Sequence, residues 1–187
     1  MRPFSRFSAP SQIPRSFIER NQELVGTVHG VDPNSALLLI KHKPLIPLPF
    51  GNGKLLPVKL AGIDISQNGV SWLHTIIVGS KVSFTPISVQ NNWVQCRVNL
   101  EQLSPEEKLK TIDVGESLVS VGFASVDSNN IPSKKYLRCL QAAELRAQRK
   151  QMGLMFYIKS FENSAFNLIK KLNRPSSKTP ANVNLAL

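Results

Sequence analysis

Residues 58–64 read VKLAGID, an apolar and β-branched run that ends in glycine, isoleucine and an acid. We predict that this run belongs to a strand spanning 55–63. Two earlier runs, 24–31 and 36–41, predict a β-hairpin, because the four residues between them, DPNS, all favour turns. The stretch 43–54 contains prolines and a Gly-Asn-Gly sequence, which indicates a loop.

A helix is predicted after the third strand. Apolar residues recur at helical spacing over 68–77, and Gly79 follows as a stop signal. Two further strands are predicted at 81–89 and 93–99, on either side of a Gln-Asn-Asn turn. Five strands with a helix after the third are typical of a small closed barrel of the OB type.

The second half of the chain is predicted to be helical. A short helix covers 114–121 and ends at Gly122, and a longer one begins after Ser133 and runs to about residue 151. A last amphipathic helix is predicted at 156–172. The predicted fold class is therefore α+β: a five-stranded OB-type barrel with three packed helices and an extra C-terminal amphipathic helix.

Composition divides the chain into three parts. Residues 1–22 are expected to form a flexible basic leader, 23–155 the barrel domain, and 156–187 the amphipathic basic helix and a mobile tail. The first 16 residues contain three Arg, four Ser and no acid, which is typical of a mitochondrial transit segment. The alternative is a flexible leader that carries no targeting signal. We expect an intracellular protein, with the mitochondrion as its predicted location.

The charge is concentrated at the C-terminal end. The net charge is +11, and residues 133–187 supply 11 Lys/Arg against 2 Asp/Glu, or +9 of that total. This asymmetry favours a polyanionic partner. No apolar run approaches the ~20 residues that a transmembrane helix needs. The two cysteines are too few for a disulfide framework, and no group of histidines has the spacing of metal ligands, so no metal site is expected.

Three segments resemble the staphylococcal-nuclease-like (thermonuclease) family. VKLAGID at 58–64 is similar to its RLAGID strand, and VGESLVSVGFA at 114–124 to its VNxxLVxxGxA helix. The residues from Tyr136 to Met155 resemble its closing helix, with Met155 for the usual Trp. The basic, amphipathic C-terminus is similar to a divergent animal branch. The resemblance implies the staphylococcal-nuclease fold and Ca²⁺-dependent cleavage of DNA or RNA.

The resemblance also implies a degraded catalytic site. Several positions of the family's site are altered, and the second phosphate-binding Arg is absent, because Arg97 lies out of register inside a strand. An amide replaces one calcium-binding carboxylate, Lys replaces the first Arg, and Gln replaces the general-base Glu, which leaves no titratable group to activate water. The vestigial positions are Asp32, Asn34, Lys59, Asp64 and Gln67.

Three functions follow as hypotheses. The first is a catalytically inactive binding or scaffold module at an anionic membrane surface or in a protein assembly, acting through a last helix that carries Ile158, Phe161, Phe166, Ile169, Lys170 and Lys171. The second is a non-cleaving binder of RNA or single-stranded DNA, acting through Lys134, Lys135, Arg138, Arg146, Arg149 and Lys150. The third is a Ca²⁺-dependent nuclease. No cofactor is expected, and Ca²⁺ only if the vestigial site still binds it.

Overall fold

A computed structural model describes residues 7–44, 54–103, 109–127 and 133–150. A 3-10 turn at Pro10–Gln12 precedes four helices and eight strands. The helices are α1 (Arg15–Glu19), α2 (Gln67–Ile77), α3 (Val114–Val121) and α4 (Lys134–Lys150). The strands are β1 (Leu24–Val31), β2 (Leu38–Lys43), β3 (Leu56–Leu60), β4 (Ile63–Ile65), β5 (Lys81–Val89), β6 (Val94–Leu103), β7 (Leu109–Asp113) and β8 (Ala124–Val126).

Five of the strands close into a mixed barrel. β1 pairs antiparallel with β2 and β5, β2 with β3, and β5 with β6. The circle closes where β3 and β6 pair in parallel, with Leu60 opposite Cys96. Because α2 lies between the third and fourth barrel strands, both the pairing order and the helix position are those of an OB-type barrel. The predicted α+β barrel class is confirmed.

The barrel interior is filled by alternate residues of its strands, as the two-residue period of a strand requires. The fully buried side chains include Ile40 on β2, Val58 on β3 and Phe84 on β5. Gly26 occupies an inward position of β1, where a Cβ atom would lie 2.6 Å from Ile40 Cγ2 and 2.8 Å from the Lys41 carbonyl oxygen. A side chain at this position would therefore collide with the neighbouring strand.

Three strand predictions need correction. The strand predicted at 36–41 lies at Leu38–Lys43, because Ala36 has a φ of +52° and is not extended. The strand predicted at 55–63 divides into β3 and β4, because Gly62 has a φ of +70° and turns the chain. β4 then leaves the barrel and pairs antiparallel with β8. The strand predicted at 93–99 is longer, since β6 continues to Leu103 and pairs antiparallel with β7. Residues 100–103 and 109–113 therefore belong to paired strands that extend the sheet.

Residues 7–22, expected as part of a flexible leader, pack against the barrel. Phe7 and Ile13 are buried, and the backbone N–H of Phe7 donates to Nδ1 of the buried His42 at 3.2 Å. The Phe7 ring lies 4.9 Å from the His42 ring and makes an edge contact with Phe17. Apolar side chains inside the leader thus gain a burial site that local composition does not reveal.

The helix predictions within the described residues are confirmed. The Ser66 hydroxyl accepts a hydrogen bond from the Gly69 N–H and caps α2, and the Asp113 carboxylate accepts one from the Glu116 N–H and caps α3. α3 ends at Gly122 in the left-handed conformation. The helix predicted at 156–172 lies outside the described residues. None of the helices that the structure describes has the length and apolar character needed to cross a bilayer.

The tight approach at Gly26 generates a stability prediction. Gly26→Ala should lower the free energy of unfolding by about 2 kcal/mol, because the added methyl group displaces Ile40 or the β2 backbone. Urea denaturation measures the change. Gly30→Ala on the same strand is the matched control, since its Cβ would meet nothing closer than Leu39 Cδ1 at 4.0 Å. Equal losses in the two variants would contradict the packing argument.

Candidate functional site

A cleft of about 340 Å³ opens beside the turn between β1 and β2. Its walls come from this turn, from β3 and β4, and from the residue that precedes β6. The lining residues are Asn34, Ser35, Ala36, Leu37, Lys59, Leu60, Ile63, Asp64, Ile65 and Trp93. Three of the five positions singled out by the family resemblance are therefore in this lining: Asn34, Lys59 and Asp64.

The Asp32 side chain is hydrogen-bonded within the turn between β1 and β2. Its carboxylate accepts hydrogen bonds from the Ser35 hydroxyl and from the Asn34 backbone N–H. These bonds hold the pKa of Asp32 below its usual range, the Ser35 hydroxyl being the larger cause. An ionised carboxylate that closes its own turn fixes the wall of the cleft that carries Asn34 and Ser35.

Lys59 is placed by the parallel pairing of β3 and β6. Lys59 lies opposite Gln95, and its ammonium group sits 5.7 Å from the centre of the Trp93 ring. This cation–π contact holds the positive charge against an indole face. Trp93 could not be placed at this cleft from local sequence, because only the barrel-closing register brings it to Lys59.

Gln67 is the first residue of α2, directly after the capping Ser66, and its side chain is exposed. It does not belong to the cleft lining. Asp64 is exposed on β4, where its backbone faces Ser125 of β8. Among the described residues, the lining thus contains one ammonium, one carboxylate and one side-chain amide, and neither an imidazole nor a thiol.

This set of groups can bind a small polar ligand. General acid–base catalysis near neutral pH relies most often on a histidine or on a carboxylic acid or lysine with a strongly shifted pKa. Within the described ranges, no three His, Cys, Asp or Glu side chains come together as a possible metal site.

Arg97, the arginine nearest to the missing phosphate-binding position, is engaged elsewhere. Its Nε donates to Asp113 Oδ2 at 2.7 Å, and its guanidinium lies 5.1 Å from the centre of the Tyr136 ring. Tyr136 donates its hydroxyl to Asp113 Oδ1 at 3.2 Å. Burial, with the adjacent Asp113 carboxylate, raises the pKa of Tyr136. Arg97 therefore anchors α4 to the barrel.

The basic residues predicted to bind nucleic acid lie on α4. Arg146 donates from Nη2 to Glu116 Oε1 at 2.9 Å, so its charge is paired with α3. The other five are exposed: Lys134, Lys135, Arg138, Arg149 and Lys150. The residues predicted for the membrane or partner helix, Ile158 to Lys171, lie outside the described part of the chain.

No protein-family model matches the chain. The chain is similar to the human protein named Protein C3orf33, with 29% identity over 188 aligned residues. The alignment covers 89% of this chain and 61% of the human protein, so the chain spans about three-fifths of that relative's length.

The turn at Asp32 generates a pH prediction. Ser35→Ala should raise the pKa of Asp32 toward its ordinary value, as measured by NMR titration of the carboxyl group. Because the folded-state pKa is lowered, this carboxylate stabilises the fold above its unfolded pKa, and the contribution is lost as pH falls through the lowered value. Ser71→Ala on α2 is the control and should leave this pKa unchanged. An unchanged pKa in Ser35→Ala would refute the assignment.

The contacts of Asp113 generate a second prediction for this region. Asp113→Ala should lower the free energy of unfolding by about 3 kcal/mol. The substitution removes the carboxylate that accepts hydrogen bonds from Arg97, from Tyr136 and from the first turn of α3. Arg146→Ala is the control, since it removes an exposed ion pair and one exposed hydrogen bond to the Ala142 carbonyl, and it should cost less than about 1 kcal/mol. Thermal and urea unfolding measure both variants. Equal costs would show that Asp113 has no special role.

Proposed function

We propose that this chain is a nuclease-like OB-fold module that does not hydrolyse phosphodiesters and works as a binding or scaffold protein for an anionic partner. A membrane surface, or a protein assembly at one, is the partner that we favour, with the mitochondrion as the proposed location. The observation that carries the proposal is the composition of the cleft, whose described lining keeps polar binding groups but holds a single carboxylate and no guanidinium.

The position of the family's general base is occupied by Gln67. Activation of water requires a group that can accept a proton, and the amide of Gln67 cannot do so. The remaining carboxylate in the lining, Asp64, has Asn34 rather than a second acid as its companion there. Loss of a general base alone lowers a rate by about 10²–10⁴.

Stabilisation of the transition state is also weakened. A phosphodiester gains negative charge as it is attacked, and two guanidinium groups can neutralise that charge through paired hydrogen bonds. Lys59 offers an ammonium without the fork geometry, and that ammonium already contacts Trp93. Arg97 is bound to Asp113. The cleft therefore suits binding better than catalysis.

A non-cleaving nucleic-acid binder is the second candidate. The five exposed cations of α4 support it, because Lys and Arg on one surface contact phosphates irrespective of base sequence. The tryptophans support it less. Trp72 is packed against Phe123 with ring centres 6.0 Å apart, and Trp93 carries the Lys59 ammonium. Base stacking on either indole has to compete with an existing contact.

Nuclease assays with Ca²⁺ test the proposal. The wild-type protein and Gln67→Glu should both leave labelled single-stranded DNA and RNA intact, because restoring one carboxylate replaces neither the second arginine nor the fork at Lys59. Gln67→Ala is the control for the substitution itself. Cleavage by the wild-type protein that Asp64→Ala abolishes would overturn the proposal and favour the Ca²⁺-dependent nuclease.

A further inference from the structure

The outward face of α4 has a definite composition. Tyr136, Leu140, Ala143 and Ala147 are buried against the rest of the protein. On the opposite side, residues that follow one another at spacings of four, seven and four positions lie at nearly the same angle around the helix axis. This outer line consists of Lys134, Arg138, Leu145 and Arg149, and all four side chains are exposed.

Two described acids on or beside α4 are engaged away from this line. Glu144, the one acid of α4, accepts a hydrogen bond from the Val126 N–H at 3.1 Å on the side that packs against β8. Glu116 on α3 is paired with Arg146. The outer line therefore presents positive charge over about 22 Å, the length of fifteen residue steps of an α-helix.

Helix stability accounts for Arg149 in the last turn of α4, but it does not account for the cations in the first turn. The first turn of α4 contains no acid. Lys134 and Lys135 stand there instead, and positive charge at a helix N-terminus opposes the helix dipole. Cations placed at a local cost to the helix indicate that the charge serves a contact outside the helix.

The exposed side chain of Leu145 favours a bilayer over a nucleic acid as the partner of this line. It is 53% exposed and lies on the outer line between Arg138 and Arg149. Phosphates of a nucleic acid would contact the cations and leave this isobutyl group in water. A bilayer surface accommodates both, because the headgroups neutralise the cations while an apolar side chain enters the acyl boundary below them.

We propose that the outer line of α4 binds the surface of an anionic phospholipid bilayer, with the helix axis in the membrane plane and Leu145 inserted among the acyl chains. This inference rests on the proposed binding function and names its partner and its contact surface. The cations attract the headgroups over roughly a Debye length, and Leu145 adds apolar burial once the helix is seated.

Vesicle co-sedimentation of the full chain tests the inference. The protein should bind phosphatidylcholine vesicles containing about a third phosphatidylserine, bind pure phosphatidylcholine much more weakly, and dissociate as salt rises. Neutralising the line with Lys134→Gln, Arg138→Gln and Arg149→Gln together should weaken binding by about 100-fold, at roughly fivefold for each cation. Leu145→Ala should weaken it about fivefold and reduce the salt-resistant fraction.

A matched triple variant controls for net charge. Lys41→Gln, Lys43→Gln and Lys81→Gln remove three exposed cations from the barrel strands and should change binding by less than about a third of the effect at α4. Circular dichroism verifies that each variant is folded. Equal losses in the two triple variants, or an unchanged affinity in Leu145→Ala, would overturn the seated-helix geometry.

Two further outcomes separate this inference from the proposed function. If the wild-type protein ignores anionic vesicles but binds a labelled single strand through the same three cations, α4 is a nucleic-acid surface and the lipid inference fails while the non-hydrolytic function stands. If the protein cleaves that strand with Ca²⁺ yet still binds vesicles through α4, the proposed function fails and the lipid surface stands.

Discussion

The parallel pairing of β3 with β6 is the constraint on which the rest of the structure depends. Closing a barrel removes both open sheet edges, but it requires two strands distant in sequence to meet in one register. That register sets Val58 opposite Val94 and Leu60 opposite Cys96 inside the core, all of them buried. The same register determines the outer face, where it brings Lys59 to Trp93. The interior packing thus decides which side chains meet in the cleft.

A second constraint fixes the helical half on this barrel. Asp113 ends β7 and caps α3, and its carboxylate receives Arg97 from β6 and Tyr136 from α4. One carboxylate with 6% of its side chain exposed therefore joins the sheet to both helices. With Tyr136 held on this side, the helical period directs Lys134, Arg138 and Arg149 outward. The basic surface is a consequence of how the opposite face of α4 is anchored.

Local signals predicted most elements and missed those that depend on distant contacts. β1, β5, α2 and α3 matched their patterns because alternation, periodicity and caps are all encoded within a few residues. The division at Gly62 was missed because a glycine inside an apolar run does not reveal a positive φ. The packing of Phe7 on His42, the Lys59–Trp93 contact and the Arg146–Glu116 pair each join residues 30 or more positions apart. Asn34, Lys59 and Asp64, which the family resemblance singled out, line the cleft, whereas the place of the indole beside them depends on strand register.

The cleft and the basic helix have no residue in common, so a change in one need not disturb the other. A cavity of about 340 Å³ is at the small end of ligand sites, so it can contact only a fragment of a polymer or a membrane. A large anionic partner requires an extended charged surface, which α4 provides. Substitutions at Asn34, Lys59 or Gln67 leave the Asp113–Tyr136–Arg97 anchor intact, because none of the three contributes to it. The cleft residues can therefore change without disturbing α4, and charge on the outer face of α4 can increase without strain in the barrel.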